Sequence, residues 1–305
     1  MRIPTGGYNM GIVNKKMQII LNIIMAILAL ACILPFVLLI MASLTDEVVL
    51  TTQGYSFFPS KLSLDAYNYL FSAAGRIVRA YGMTIIVTAI GTTGNVLLTL
   101  FMAYLLSKKD LPFRTAISFF VFFTMLFHGG MVPSYLIWTE VFHVRDTIAG
   151  LIFPNLFMGA YNVILMRTYF TSNVPEEIID AARIDSCSEI GILFRIALPL
   201  SRPMIATVAL FSGLAYWNDW INGLYYLVRN RDLYTIQNVL NTMVSNAEFL
   251  QSSAAISNVQ SLNISVPTAG IRMAIAVIAV VPVLIIYPFF QKSFVKGIVV
   301  GGVKG

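Results

Sequence analysis

The sequence predicts an all-α membrane protein with six transmembrane helices. Of its 305 residues, 58% are hydrophobic and 11% are charged, whereas soluble domains carry about 25% charged residues. Six apolar runs recur along the chain, each of a length that suits a membrane-spanning helix. The net charge of +6 is explained by basic residues that flank these runs, because no basic patch alternates with aromatic residues as nucleic-acid binding would require. We therefore expect lipid, and no nucleic acid, as surroundings.

Most of the predicted spans lack charged residues entirely. The first is too long for a signal-peptide core and no small-residue cleavage site follows, so it predicts a retained helix. After it, FFPSKLSLDAYNYLF predicts a short amphipathic helix at the membrane interface, and the polar segment 229–270 predicts a long loop. The predicted spans are residues 17–45, 80–107, 115–139, 147–166, 203–228 and 273–291.

Glycine, proline and asparagine interrupt several of these spans. HGGMVP at 128–133 predicts a break in the third span, and irregular backbone at this depth has to be buried in protein or to face water. In the second span, GTTGN places Gly91 and Asn95 four residues apart on one helix face, which favours close packing against a neighbour. Asn95, or Asn155 in the fourth span, could instead line a polar path.

The fifth span carries a cluster of polar and aromatic residues. On a continuous helix, Asn218, Asn222 and Tyr225 share one face, and the tryptophans form an adjoining arc. Ionisable residues inside a span usually face a bundle interior or a watery cavity, so this cluster predicts a path or cavity lined by amides, hydroxyls and flat rings. The alternatives are an interfacial aromatic belt with packing asparagines, or an aspartate paired with another subunit. The cluster consists of Trp217, Asn218, Asp219, Trp220, Asn222 and Tyr225.

The segment 175–199, PEEIIDAARIDSCSEIGILFRIALP, is the most polar part of the chain. Its apolar residues follow helical spacing in two short stretches, and Ser186 with Glu189 has the spacing of a capping box. A compact pair of helices between two membrane spans predicts a docking element. The arginine and lysine count gives its side of the membrane. Thirteen of the twenty basic residues lie on the side of this segment and both termini, which predicts that all three are cytoplasmic.

The same segment resembles the EAA loop of binding-protein-dependent ABC importer permeases, whose pattern is roughly E-A-A-x-x-D-G-A followed by an apolar-L-P ending. Asp180 stands where glutamate is usual, Ser186 where glycine is usual, and Cys187 where alanine is usual. Serine lacks the freedom of glycine at positive φ, so the turn is expected to differ from the usual one. The resemblance implies that the loop fits a cleft on a cytoplasmic ATPase. The implied coupling residues are Glu177, Asp180, Ala181, Ala182, Asp185, Ser186, Leu198 and Pro199.

The resemblance extends along nearly the whole chain. YSFFPSKLSLDAYNYLF, FHGGMVPSYLI, WNDW and YPFFQKSFVKGIVVGGVKG are similar to the carbohydrate-uptake permeases of the oligosaccharide and polysaccharide-fragment type, found mainly in Gram-positive bacteria. It implies a MetI-like (type I) importer fold in the bacterial cytoplasmic membrane. It also implies a second, related permease subunit as heterodimer partner, two ATPase subunits and an extracytoplasmic solute-binding lipoprotein.

The chain carries no catalytic or nucleotide-binding motif of its own. There is no G-x-x-x-x-G-K-[ST] loop, so we expect ATP and Mg to be bound by the partner ATPase. No nucleophile–base pattern is present, and with two histidines we expect no metal site. The alternatives are a permease for a non-sugar solute, a membrane-embedded enzyme that uses Asp219, or a structural anchor. WNDW and the terminal motif favour sugars.

The expected organisation has three parts. Residues 1–79 form a cytoplasmic tail, the first transmembrane helix and an extracytoplasmic amphipathic loop. Residues 80–292 form the permease core with the coupling loop 175–199, and residues 293–305 form a cytoplasmic tail. We expect the loop 229–270 to meet the binding protein, with a disordered spacer as the alternative.

Overall fold

The computed structural model describes residues 15–72, 74–251, 269–282, 284, 285 and 288. Over these residues the chain is helical without a strand, apart from one isolated bridge between Thr45 and Leu62, and the predicted all-α class is confirmed. The predicted tail 293–305 lies outside the described residues. The helices are α1 Lys15–Ser43, α2 Glu47–Gln53, α3 Asp65–Ser72, α4 Ala74–Ser107, α5 Arg114–Leu126, α6 Met131–Val141, α7 Ala149–Ile152, α8 Ala160–Asn173, α9 Glu176–Ile184, α10 Glu189–Leu200, α11 Arg202–Trp217, α12 Ile221–Tyr226, α13 Ile236–Gln251 and α14 Ala269–Pro282.

The apolar helices agree with several of the predicted spans. Over the described residues, α1 and α4 are each long and apolar enough to cross a membrane unaided. The pairs α5–α6 and α10–α11 qualify only if each bent pair counts as one span. The count of six spans stays a prediction, and the end of the predicted sixth span lies outside the described residues.

The break predicted in the third span is confirmed. Helix α5 ends at Leu126, α6 begins at Met131, and the two are bent by 114°. Gly130 precedes α6 with φ of +87°, a conformation that glycine adopts without a steric penalty. Pro133 lies in the first turn of α6, where a missing N–H group costs little.

The fourth and fifth predicted spans are broken helices as well. The fourth consists of α7 and α8 separated by residues 153–159, because Pro154 lacks an N–H group and Asn155 adopts φ of +62°. It also extends beyond the predicted end, since α8 continues to Asn173. The fifth span is divided at residues 218–220 between α11 and α12.

The described residues divide into two compact units, one from within 1–71 and 250–277, the other from within 72–249 and 278–305. In the first unit, the Ser43 and Tyr67 hydroxyls are 2.8 Å apart, which connects α1 to α3. Leu70 of α3 is buried while Phe71 is exposed, so the apolar face predicted for this helix is only partly the buried one. Glu47 accepts hydrogen bonds from the first two N–H groups of α14 and caps that helix.

In the second unit, α4 packs against α8 and α11. Its larger core cluster lies between these helices and α9–α10, and includes Leu100, Met166, Ala182, Ile192 and Val208. A smaller cluster surrounds Tyr216 of α11. The unit therefore joins the polar segment 175–199 directly to the apolar helices.

Part of the polar segment 229–270 belongs to this unit as well. It contains a 3₁₀ turn at Arg231–Leu233 and helix α13, whose Ile236 is buried and donates its N–H to the Thr84 hydroxyl. The prediction of one long loop is therefore wrong for this part, as is the spacer alternative. Residues 252–268 lie outside the described residues, and the contact with a binding protein stays a prediction.

Candidate functional site

The predicted docking element consists of α9, a tight turn and α10. Helix α9 ends in a Schellman motif, in which Ser186 N–H bonds the Arg183 carbonyl and Cys187 N–H bonds the Ala182 carbonyl, both at 3.0 Å. Ser186 has φ of +59°, the left-handed conformation that such a turn requires. The expectation that serine alters the turn is therefore wrong, because serine makes the glycine-type turn. The strain costs on the order of 1 kcal/mol.

Another serine caps the helix that follows. The Ser188 hydroxyl accepts the N–H of Gly191 at 3.1 Å and begins α10. The capping role predicted for Ser186 is wrong, because the left-handed turn occupies that residue and shifts the cap two positions along the chain.

The two central alanines of α9 face opposite surroundings. Ala182 is 7% exposed and belongs to the core cluster of its own unit, whereas Ala181 is exposed. The expectation that both alanines meet a partner groove is therefore wrong for Ala182. Ile184 is 84% exposed on the solvent-facing side of α9, although its position in the sequence predicts no function. The predicted coupling residues Glu177, Asp180, Asp185 and Ser186 are exposed as well.

The L-P ending of the segment turns the chain into the next apolar helix. Helix α10 widens to a π-turn over Leu193–Ala197 just before Pro199, which has no N–H group for a regular helical bond. Leu198 is half-buried against the core cluster. The helix then bends by 85° into α11, so Leu198 and Pro199 shape a corner rather than an outward surface.

Glu189, in the first turn of α10, connects three parts of the second unit. Its carboxylate accepts the Tyr104 hydroxyl at 3.0 Å and the Arg183 Nε–H at 2.9 Å, and pairs with Lys108 at 2.8 Å. Burial raises the pKa of Glu189, but the ion pair with Lys108 and the hydrogen bonds from Arg183 and Tyr104 outweigh it and lower the pKa from 4.5 to about 2. We call this group the Glu189 junction. Sequence analysis missed it because its members are far apart in the chain.

The break at 153–159 is held by side chains from three other helices. Tyr216 of α11 donates to the Ile152 carbonyl at 2.8 Å, Asn222 of α12 to the Pro154 carbonyl at 3.0 Å, and Asn95 of α4 to the Leu156 carbonyl at 2.7 Å. Carbonyls without a helical partner are costly at membrane depth, and these bonds satisfy them.

The GTTGN motif of α4 packs against the same break at 153–159. A side chain at Gly91 would overlap the Tyr216 ring, and one at Gly94 would overlap Phe157. Asn95 also accepts the Ser212 hydroxyl of α11 at 2.7 Å. The interpretation of Gly91 and Asn95 as a close-packing face is thus confirmed, and Asn95 is a buried structural residue rather than an exposed path residue.

The WNDW cluster does not form the faces that a continuous helix would give, because α11 ends at Trp217. Asp219 lies in the break and accepts the N–H groups of Ile221 and Asn222 with its carboxylate, which caps α12. Trp217 is buried beside Tyr81 with ring centroids 6.4 Å apart. Asn238 donates to the Trp220 carbonyl at 2.6 Å and so satisfies a backbone group of this second break.

The predicted path residues therefore separate into two groups. Asn95, Trp217, Asp219 and Asn222 are occupied in packing, capping or satisfying backbone groups. The others are exposed or half-buried: Asn155, Asn218, Trp220 and Tyr225. The Asn218 amide also donates to the Leu214 carbonyl at 2.9 Å, on the exposed side of the α11 end. Asn155 adopts left-handed backbone between two carbonyls that are held by Asn222 and Asn95, so its position is fixed from both sides.

Comparison with known proteins identifies a family and several relatives that this chain resembles. Residues 96–300 match the family described as "Binding-protein-dependent transport system inner membrane component". The chain is 38% identical over 273 residues to Protein LplC of Bacillus subtilis (strain 168), with 90% of each chain covered. It is 36% identical over 292 residues to the polygalacturonan/rhamnogalacturonan transport system permease protein YtcP of the same organism, covering 96% of this chain and 99% of that one.

The fold is also similar to a solved structure. A chain of a bacterial ABC transporter involved in the import of the acidic polysaccharide alginate superposes with a TM-score of 0.75 at 27% identity, covering 91% of this chain and 96% of that one. The protein therefore belongs to the family of binding-protein-dependent transport system inner membrane components and has the MetI-like fold. It is a permease component located in the membrane, as the sequence predicts.

Proposed function

We propose that this chain forms half of the translocation path for an oligosaccharide or polysaccharide fragment, with a related permease as the other half. The names of its relatives support a sugar over a non-sugar solute, since YtcP is a polygalacturonan/rhamnogalacturonan permease and the similar solved structure belongs to an alginate importer. The exposed amides of Asn155 and Asn218 and the exposed ring of Trp220 supply the polar and flat surfaces that a sugar needs.

The second part of the proposal concerns energy coupling. Helices α9 and α10 dock on a separate ATPase, which is present in two copies and binds ATP and Mg. The proposal rests on the exposed face of α9. There, Ala181 and Ile184 offer an apolar contact, and Glu177 and Asp185 surround this contact with carboxylates. Ala182, the next residue along the helix, is buried and anchors α9 in the core cluster, so a displacement of α9 acts on the core of the unit.

The remaining partners follow from this arrangement. The segment 175–199 and both termini lie on the cytoplasmic side, and an extracytoplasmic solute-binding lipoprotein delivers the sugar to the opposite side. The charge distribution along the chain supports this orientation.

Reconstitution tests the sugar proposal. The chain is co-purified with its partner permease, ATPase and binding protein, and ATP hydrolysis is measured with a panel of oligosaccharides, amino acids and phosphonates. We expect uronic-acid or neutral oligosaccharides to stimulate hydrolysis and the other solutes to have no effect. Stimulation by an amino acid or a phosphonate alone would contradict the proposal.

A cross-link tests the docking. Cys187 is exposed in the turn after α9, and Cys32 is exposed on α1. In a Cys32→Ser background, a short thiol–amine cross-linker on Cys187 is expected to capture the ATPase. Capture of lipid or of the binding protein instead would contradict the docking.

A further inference from the structure

The Glu189 junction differs from the other ion pairs in its neighbourhood. Lys109 and Glu176 pair at 2.6 Å, but their side chains are 70% and 57% exposed, and such pairs contribute little. The Lys108 side chain is only 15% exposed, and Glu189 is the carboxylate that it meets. A cation that is largely removed from water is costly without its counter-charge.

The surroundings of Lys108 increase this dependence on Glu189. Its ammonium group lies 4.2 Å from the centroid of the Tyr104 ring, and the Tyr104 hydroxyl donates to the same carboxylate. Tyr104 is buried in the core cluster. One carboxylate on α10 thus fixes a buried tyrosine of α4, a half-buried lysine that follows α4, and an arginine of α9.

Helix α4 extends from this junction to the held break. Its Asn95 bonds the Leu156 carbonyl, so a displacement at the α4 end that carries Tyr104 acts on residues 153–159 through one continuous helix. The contacts form an uninterrupted sequence from α9 through Glu189 and α4 to the break beside Asn155. Coupling between distant sites requires such a physical connection.

We propose that Glu189 is a positioning residue that makes α9, α10 and the adjoining end of α4 move together, and thereby connects the ATPase-docking surface to the helix break at 153–159. This inference rests on the docking function proposed above. Glu189 contacts neither sugar nor nucleotide in this account; it acts through Tyr104, Lys108 and Arg183.

The test is Glu189→Gln in the reconstituted complex, with Glu176→Gln as the matched control. Both changes remove one carboxylate charge from the same segment, but only the first removes the junction. We expect stimulation of ATP hydrolysis by the sugar-loaded binding protein to fall about fivefold in Glu189→Gln. Basal hydrolysis and the KM for ATP should be unchanged, and Glu176→Gln should match the parent protein.

Two further variants keep the test decisive. Glu189→Asp retains the charge and should keep most of the stimulation, which a loss of bulk packing would not explain. If Glu189→Gln does not assemble, the double variant Lys108→Gln/Glu189→Gln removes the uncompensated cation, and it should assemble and show the same loss. Stimulation at the parent level in an assembled Glu189→Gln or double variant would overturn the proposal.

The Cys187 cross-link separates the two proposals. If the ATPase is captured normally and Glu189→Gln keeps full stimulation, the junction proposal is wrong and the docking proposal stands. If the ATPase is not captured even with Glu189 intact, the docking proposal itself is wrong.

Discussion

At the scale of single residues, the departures from the EAA pattern show how one turn is built from different side chains. Ser186 takes the left-handed conformation that glycine adopts without strain, and the Schellman bonds hold it there. The resemblance to the EAA pattern identifies Ser186 as the turn residue but predicts a different turn. The turn is kept because the strain of serine at positive φ is small compared with the hydrogen bonds that the turn makes. Ala181 and Ala182 could not be told apart either, since only the packed core decides which of them faces inward.

Ser186→Gly is expected to stabilise the chain by up to about 1 kcal/mol, because glycine adopts the left-handed conformation without strain. The measurement is denaturant unfolding of the purified chain in detergent. Ser188→Ala is the control of opposite sign, since it removes the cap on the Gly191 N–H and should cost about 1 kcal/mol. A destabilised Ser186→Gly chain would contradict the assigned turn.

The lowered pKa of Glu189 makes a pH-dependent prediction. A depressed carboxyl pKa contributes stability that is fully present above the unfolded-state value and is lost as the pH falls toward the folded-state value. For Glu189 that window extends from about 4.5 down to about 2. The difference in Tm between the parent chain and Glu189→Gln should therefore be constant from neutral pH to about pH 5 and shrink below it. A difference that grows on acidification would show that the ion pairs are not formed.

At the scale of elements, apolar runs predicted where the helices lie but not where they break. HGGMVP predicts a break because glycine and proline stand together there, whereas Pro154 and the WNDW segment predict no break on their own. Their breaks depend on distant partners: Tyr216, Asn222 and Asn95 for one, and Asn238 for the other. Such partners are not visible in local periodicity, and only the packing interpretation of GTTGN anticipated one of them.

Alanine substitutions of two asparagines in the broken fifth span distinguish a structural role from a path-lining role. Asn222 is 2% exposed and holds the Pro154 carbonyl, so Asn222→Ala should destabilise the chain by about 1 kcal/mol. Asn218 is exposed and water can replace its hydrogen bond to the Leu214 carbonyl, so Asn218→Ala should cost less stability than Asn222→Ala and reduce sugar uptake. Thermal unfolding and uptake are measured on the same preparations. Unimpaired uptake by an assembled Asn218→Ala complex would remove this residue from the path.

At the scale of the whole molecule, the helical class and the family were predictable because hydrophobic composition and the spaced EAA-like residues need no tertiary information. The boundaries of the parts 1–79, 80–292 and 293–305 stay predictions, as does the orientation. The path could be predicted only in part, since four of its predicted members are structural and Asn155, Asn218, Trp220 and Tyr225 remain as candidates.

The orientation makes a prediction for intact cells. With Cys32 changed to serine, a membrane-impermeant maleimide should label Ser60→Cys and should leave Cys187 unlabelled until the cells are opened. Both positions are exposed in the chain, so accessibility differs only by the side of the membrane. Labelling of Cys187 in sealed cells would contradict the predicted topology.

The central claim is that a sugar permease is coupled to its ATPase through the outer face of α9, and a tryptophan at Ala181 tests it most directly. Ala181 is exposed and next to the buried Ala182, so Ala181→Trp enlarges the docking face without entering the core. The measurement is sugar-stimulated ATP hydrolysis by the assembled complex in proteoliposomes. We predict that Ala181→Trp inserts and folds like the parent chain but loses the stimulation, and full stimulation in an assembled Ala181→Trp complex would contradict the claim.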